Sequence, residues 1–359
     1  MTYRVIQWAT GAMGKTCLRA IIDHPDLELA GLYVYGEKKA GRDAGDIAYR
    51  DETGVVATRD IEDILATDAD IVIHAARLQP PYDHHDGDIL RLLESGKNVV
   101  SINGNSFPAH WPEGRRRRFE AACAKGGTSF GGAGLNPGFA AERLLATALE
   151  MTLAPKSATL SEIVITKEVK SPQYVFDILG FGSMPGDVDP NSPDWVPAQT
   201  LNDMFSETVA AMAARLGVEP DEIVTDHGMR PARADMEIAA GTIPKGGACH
   251  FDWRWKALKD DTPIATVHII WAMDKSYIAE DEPLWRLSID GTPKVDLAIE
   301  LEPPEERDGR TSAEQLGVAA TVINAIPRIV EAPPGLVAAT GAPVAPLDKK
   351  EKTLAQEEA

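Results

Sequence analysis

The chain reads as an α/β protein: a doubly wound parallel sheet, then a second α+β domain whose sheet is mostly antiparallel. Three observations lead there. The first third alternates short apolar runs with amphipathic helical stretches, starting "YRVIQWATGAMGKTCLRAII", and such alternation builds a parallel sheet. The middle carries "ATLSEIVITKEV", "CHFDWRWKAL", "ATVHIIWAM" and "LWRLSID", rich in β-branched and aromatic residues and without that alternation. A length of 359 residues is long for a single core, which favours two domains.

Residues 3–8 form the first strand, followed by a tight turn and a helix with Cys17, Leu18, Ile21 and Ile22 on one side. The turn holds Gly11 and Gly14 in Gly-x-x-Gly spacing, with Ala9 where the first glycine of Gly-x-Gly-x-x-Gly stands. Glycines there let backbone N–H groups approach a pyrophosphate, let the helix pack close to the strand, and leave the helix N-terminus facing the anion. The strand, turn and helix order is that of a Rossmann-type dinucleotide-binding fold. Residues 27–34 form the second strand. The acid that binds an NAD ribose belongs at its end, but here Glu37 comes slightly late, between Gly36 and the cations Lys38, Lys39 and Arg42. Cations there suit a 2′-phosphate, so NADP is preferred over NAD; a solvated loop with ordinary lysines is the competing reading.

The stretch 69–77 is a strand opening into small residues, 86–95 a helix, 98–102 a strand, and "GRRRRFEAACAKGGTSFGG" a helix, glycine turn and strand. His84 and His85 read as helix-entry residues, and the run Arg115 to Arg118 as the solvated face of a helix. Ligands bind beyond the carboxyl ends of strands in such sheets, which gathers residues 11–15, 75–78 and 103–106 around one crevice. From "GGAGLNPGFAAERLLATALEM" the pattern changes, with Pro137 suited to open a helix over 140–151. Tryptophans 253, 255, 271 and 285 lie on the strands of the second domain and read as core or subunit packing. A sheet with no evident cover on its second face suggests a homodimer. The helix 312–325 is expected to return to the first domain. The resulting division is 1–136 for dinucleotide binding, 137–310 for substrate binding and dimerisation, 311–346 for the returning helix and 347–359 for a disordered tail.

Composition narrows the function classes. With 36 basic and 55 acidic residues the formal charge is -19, and such a chain repels nucleic-acid phosphates and anionic lipid. Its three cysteines, 17, 123 and 249, form no Cys-x-x-Cys pair, so neither a disulfide framework nor a metal site is indicated. No apolar run approaches the ~20 residues of a membrane span, and no signal-peptide pattern opens the chain. A cytoplasmic protein with a small-molecule partner, rather than a nucleic acid or a membrane, is expected.

At "GAGLNPGFAAERLL", together with "WATGAMGK", "SGKNVVSI" and "NAIPRIVEAPPGLV", the chain resembles the dihydrodipicolinate reductase-like superfamily. Within it, the likeness is to the 2,4-diaminopentanoate dehydrogenase and native NAD(P)H-dependent amine dehydrogenase family, over residues 3 to about 346. The resemblance implies an NAD(P)H-dependent oxidoreductase acting on C=N or CH–NH2 groups, with an imine, ketone or amine as substrate. By that likeness Gly11, Ala12, Met13 and Gly14 hold the pyrophosphate, and Lys38 lies by a 2′-phosphate. Arg77, Ile102 and Asn103 border the nicotinamide ribose, while Asn136 and Phe139 lie by the nicotinamide and substrate. His-His-x-x-Lys and Asp-Ala-Pro-Ser-Gly-Thr segments of dihydrodipicolinate reductase itself are missing.

One departure shapes the functional expectation. Amine dehydrogenases of this type carry a glutamate just after the strand that ends "VVS", where this chain has Asn103-Gly104-Asn105. Losing a general acid or base lowers a rate by about 10² to 10⁴, which would cripple amination of a ketone. A preformed iminium needs only orientation, and Asn103 and Asn105 supply hydrogen bonds for it. An imine or iminium reductase is therefore preferred. Glu142 and Tyr174 are the replacement acids to examine, ahead of Glu168, Asp177 and His110. The alternatives are a ketone reductase in the same fold, with Tyr174 or His110 as proton donor, and an NADP-binding or sensing protein that turns nothing over.

Overall fold

The computed structural model describes residues 2–279, 282–302 and 311–339. The first domain contains β1 (Tyr3–Trp8), α1 (Ala12–Asp23), β2 (Leu27–Tyr33), α2 (Ala44–Ala48), α3 (Ile61–Ala66), β3 (Ile71–His74), α4 (Asp86–Glu94), β4 (Asn98–Ser101), α5 (Glu113–Gly126) and β5 (Ser129–Gly132). Its strands are short and apolar because the sheet is buried on both faces: β3 has no exposed residue and β4 exposes none beyond half-buried Asn98.

The second domain contains α6 (Leu145–Leu149), β6 (Ser157–Ile165), α7 (Val196–Arg215), β7 (Glu222–Thr225), β8 (Gly228–Pro231), the hairpin β9 (Met236–Ile238) with β10 (Gly241–Ile243), β11 (Ala248–Lys259), β12 (Thr262–Ala272), β13 (Trp285–Asp290) and β14 (Val295–Ile299). The chain then returns as α8 (Ala313–Ile323), α9 (Ile326–Val330) and β15 (Gly335–Val337).

The first sheet is six-stranded and parallel, in the order β15-β5-β4-β3-β1-β2. Cys17 and Ile21 of α1 pack with Ala319, Val322 and Ile329 of α8 and α9 on one face. On the other, Ile64, Ile89, Leu92, Phe119 and Cys123 join Val72, Val99 and Phe130. The second sheet runs β14-β13-β6-β12-β11-β7 with β8 added on β11. Only the β6–β12 pair in it is parallel. Trp253 and Trp255 enter its core beside Phe205 and Val209 of α7. Trp285 is buried as well.

Several local expectations give way to tertiary context. The Asn136–Pro137 bond is cis, and helix begins at Phe139, as one π-helical turn over Phe139–Leu144 that leads into α6. The returning segment adds a strand, β15, to the edge of the first sheet beside its helices. The tail 347–359 and the end of the 311–346 segment lie outside the described residues.

Arg115 is not part of a solvated arginine face. Its guanidinium is buried, donates to both carboxylate oxygens of buried Asp86 at 2.9 and 2.8 Å, and stacks 4.0 Å from the Trp111 ring centroid. Arg115, Phe119, Ala122 and Cys123 all lie on the inward side of α5, so a charged residue holds an apolar stripe position. A buried pair of this kind is costly to break because the remaining charge has no partner. Arg115→Met is expected to lower unfolding stability by about 3–5 kcal/mol in urea. Arg116→Met, which removes an exposed i,i+4 pair with Glu120, is expected to change it by less than about 0.5 kcal/mol. Equal effects from the two would show that burial of the Asp86 pair does not matter.

Candidate active site

The turn after β1 is built around Ala9, which takes φ 72° although it is not glycine. Left-handed backbone costs a Cβ-bearing residue about 1–2 kcal/mol, and the turn is braced against that strain from two sides. Gln7, fully buried, donates from Nε2 to the carbonyl of Ala9 at 2.9 Å. Lys39 donates to the carbonyl and hydroxyl of Thr10 at 2.7 and 2.9 Å. A Cβ on Gly14 would overlap the Ala9 carbonyl, so glycine is what lets α1 approach the turn. A Cβ on Gly11 would meet nothing within 4 Å, and no side chain caps the N-terminus of α1 there. The residues present therefore fit a dinucleotide pyrophosphate: unobstructed backbone at Gly11 and an uncapped helix N-terminus over Ala12 and Met13.

The cation nearest the turn is Lys39 rather than Lys38. Lys38 is exposed, whereas Lys39 is half-buried, and burial followed by the charges of Lys15 and Arg42 lowers its pKa. Glu37 pairs instead with Arg59 at 3.0 Å. Periodicity could not separate two adjacent lysines; which one folds back depends on the 3₁₀ turn over Glu37–Lys39.

The loop following β4 is held from every side. Its backbone at Gly104 and Asn105 rests directly on Gly132, where any Cβ would collide with it. Gly104 itself has φ 70°, and a Cβ there would run into the Tyr82 hydroxyl and Met204. Asn105 takes φ 57° and is buried. Its amide nitrogen donates to Ser101 Oγ and the Asn103 carbonyl, and its oxygen accepts from Arg115 at 3.0 Å. Asn105, expected at the site, is thus turned into the first domain and forms part of the loop's support. Asn103 is half-buried; its Nδ2 donates to the Ala76 carbonyl at 2.9 Å, while Oδ1 has no partner among the described residues. Ile102 donates its N–H to the His74 carbonyl.

Two carboxylates from beyond β5 complete the hold. Glu207, on the inward face of α7, accepts from the Phe107 N–H, from Trp111 Nε1 at 3.0 Å and from the Tyr82 hydroxyl at 3.0 Å. Burial raises its pKa, against those hydrogen bonds and the Arg115 charge. Glu142 is fully buried, accepting from Ser106 Oγ at 2.7 Å and from the Gly138 N–H at 2.7 Å. Burial pushes its carboxyl up to about 7. Both oxygens are engaged by the protein, so Glu142 ties Ser106 to the turn at Gly138 rather than presenting a free carboxyl.

The remaining expected residues take up the following positions. Arg77 reaches across to Gln173 at 2.8 Å, next to Tyr174 on a π-helical turn over Gln173–Ile178. Tyr174 is half-buried against the second core, and burial raises its pKa. Asn136 donates to Glu162 at 2.6 Å and leaves its own Oδ1 buried without a partner among the described residues. Phe139 is half-buried under the Arg143 guanidinium. Gln7, Tyr82 and Glu207 were not singled out from the sequence, and Lys39 was named only as one of a group of cations with Lys38 and Arg42. For Glu207 a signal existed: it occupies the buried stripe of α7 with Met204, Thr208 and Ala211, where a lone acid calls for a partner.

Gly14→Ala is expected to destabilise the free protein by about 3 kcal/mol or more, through overpacking against backbone. Gly11→Ala should cost at most about 1 kcal/mol at an uncapped N-cap while weakening nucleotide binding, as read by fluorescence titration. Glu142 offers a second test. Its folded pKa is about 7 against an ordinary 4.5, so the unfolded chain holds fewer protons between those values and stability falls as pH rises through them. Glu142→Gln has no proton to lose, and its stability relative to wild type should improve from pH 5 to pH 8 by roughly 3 kcal/mol. An unchanged difference in urea midpoints at the two pH values would mean that Glu142 does not titrate there.

Residues 5–90 match the family model described as dihydrodipicolinate reductase, N-terminus. Along 368 aligned positions the chain is 29% identical to an amine dehydrogenase of Streptomyces virginiae, covering 95% of this chain and 96% of that one. It is 34% identical to a 4-hydroxy-tetrahydrodipicolinate reductase of Desulfotalea psychrophila (strain LSv54 / DSM 12343) across 74 residues, or 20% of this chain and 27% of that one. Among solved structures, an amine dehydrogenase from Mycobacterium smegmatis superposes with a TM-score of 0.75 at 18% identity, covering 94% of this chain and 95% of that one. With the Gly11 turn, the parallel sheet and the antiparallel second sheet all in place along the full-length match, the chain has a Rossmann-type fold with a second sheet domain and is similar over its whole length to an amine dehydrogenase, and over residues 5–90 to the N-terminal part of dihydrodipicolinate reductase.

Proposed function

We propose that this protein is an NADPH-preferring oxidoreductase that reduces a preformed C=N bond, in an imine or iminium, and in the reverse direction oxidises the corresponding amine. The observation that carries this reading is the loop after β4. It presents no side chain that exchanges a proton: Asn103 is an amide, Gly104 has no room for a longer residue, and Asn105 faces inward. Assembling a C=N bond from a ketone and ammonia requires such a group; reducing an iminium requires orientation. The full-length likeness to an amine dehydrogenase supports the C=N class.

A bound reduced nicotinamide supplies the hydride. The chain's own residues hold and aim. Lys39, with Lys15 and Arg42, forms a cluster of cations beside the pyrophosphate turn, which suits the 2′-phosphate of NADP. Asn103, its Nδ2 tied to Ala76, offers Oδ1 as an acceptor for the N–H of an iminium. Asn105, Glu207 and Glu142 keep that acceptor in place from behind. Asn136, with its orphaned Oδ1, and Phe139 form the opposite wall. The three described cysteines are buried and unpaired, in keeping with action in a reducing cytosol. A homodimer would cover the face of the second sheet turned away from α7, and sedimentation equilibrium reads it directly.

The test follows NADPH oxidation with a cyclic imine, and with the matched ketone with and without ammonia. Oxidation is expected with the imine alone. Ammonia-dependent turnover of the ketone would overturn the reading, and reduction of the ketone without ammonia would make the protein a carbonyl reductase. Lys39→Ala is expected to weaken NADPH binding by about 10- to 100-fold, the loss of one charge-assisted hydrogen bond, with little change for NADH. Equal losses for both nucleotides would place Lys39 at the pyrophosphate alone.

A further inference from the structure

Glu162 occupies an apolar face of its strand. Ala158, Leu160 and Val164, which share that face of β6, belong to the core under α7, since side chains two residues apart point the same way. A carboxylate placed there needs a partner. Its hydrogen bond among the described residues comes from Asn136 Nδ2 at 2.6 Å, while Asn136 Oδ1 is buried with no partner among them. Beside Glu162 in register are Ile269 of β12 and Trp285 of β13, neither of them titratable. The Trp285 indole is near enough to favour the charged carboxyl, although its Nε1 closes no hydrogen bond among the described residues. The titratable group whose charge acts on Glu162 is Glu314, half-buried in the first turn of α8. Burial is the largest influence and, with the Glu314 charge, outweighs Asn136 and Trp285, so the carboxyl rises to about 7. A separation of 2.6 Å is short for an N–H donor and ordinary for an O–H donor, so the pair fits either protonation state.

This pair stands next to the loop that carries Asn103. Asn136 follows the end of β5, and a Cβ on Gly134 would meet the carbonyls of both Pro137 and Ile102, at 2.7 and 3.9 Å. Glu142 joins the Gly138 N–H to Ser106 of the same loop. The adenosine ribose of a dinucleotide belongs at the end of β2, which leaves its nicotinamide half to the other side of β1, where β4 and β5 end. The carboxamide of that ring needs an acceptor for its N–H.

We propose that Glu162 is a positioning residue for the nicotinamide. Ionised, it holds Asn136 by Nδ2 and leaves Oδ1 to accept the carboxamide N–H. Protonated, it donates to Oδ1 instead, and the Asn136 amide turns its own N–H groups toward that of the carboxamide. The nicotinamide half is then held less well. The inference rests on the nicotinamide cofactor and not on the C=N substrate.

Titration calorimetry tests this by comparing NADPH with 2′-phospho-ADP-ribose, which lacks only the nicotinamide, from about pH 6 to 8.5 in wild type, Glu162→Gln and Glu314→Gln, with NADH and ADP-ribose in parallel. Titration of the 2′-phosphate and of Lys39 is common to both ligands of a pair and cancels in the ratio of their affinities. In wild type that ratio is expected to rise by about 3- to 10-fold as pH rises through the Glu162 ionisation, the worth of one hydrogen bond. Glu162→Gln is expected to make the ratio independent of pH. Glu314→Gln is expected to move its midpoint to lower pH, because the Glu314 charge acts on Glu162 and is not among those acting on Glu142, the other carboxyl near 7. A flat ratio in wild type, a pH dependence that survives Glu162→Gln, or an unmoved midpoint in Glu314→Gln overturns the proposal. Glu314→Gln leaves the Glu162 pair with Asn136 intact, so it decides even where Glu162→Gln does not fold. If wild type binds neither ligand of either pair, the nicotinamide reading falls together with the proposal.

Discussion

The loop after β4 depends on buried charge. Glu207 from the second domain and Arg115 from the first grip it through Phe107, Tyr82 and Asn105, and Glu142 ties in Ser106. Each of these groups would be expensive to bury alone, and each is paired with donors or acceptors that belong to a different segment. The network therefore joins β4, α4, α5, the π-helical turn at 139 and α7 into one support. A polar loop at a strand end becomes a fixed wall, the rigidity that the orienting role proposed for Asn103 requires.

The same economy explains the placement of charge over the molecule. The protein is strongly acidic, yet cations without an ion-pair partner among the described residues gather at the first sheet: Lys39 with Lys15 and Arg42 at the turn after β1, and Arg143 with Arg328 at the end of β5. Against an acidic background such clusters focus attraction for anions at the crevice. Burial instead raises the carboxyls of Glu142 and Glu162, both to about 7, so near neutral pH they carry less negative charge than exposed carboxylates would.

The residues at the tip of the loop are fixed by its packing. Gly104 lies where Tyr82 and Met204 close over the backbone, and Tyr82 in turn bonds Asn105 and Glu207. A longer side chain at position 104 would have to dislodge Tyr82 from a buried network.

The sequence by itself determined the architecture. Apolar runs buried on both faces, the glycine spacing at 11 and 14, and the β-rich middle stretches are local signals whose period and turn chemistry leave little choice of fold. It also placed the strand ends that surround the crevice, because in a parallel sheet those follow from strand order. Tertiary structure alone decided which polar residues do what. Lys39 rather than Lys38 folds onto Thr10, Asn105 turns inward while Asn103 keeps a vacant acceptor, and Arg115 is buried although its three neighbours in the run are not. In each case adjacent residues have the same composition and nearly the same pattern, and what separates them is a partner contributed by a segment far away in the chain.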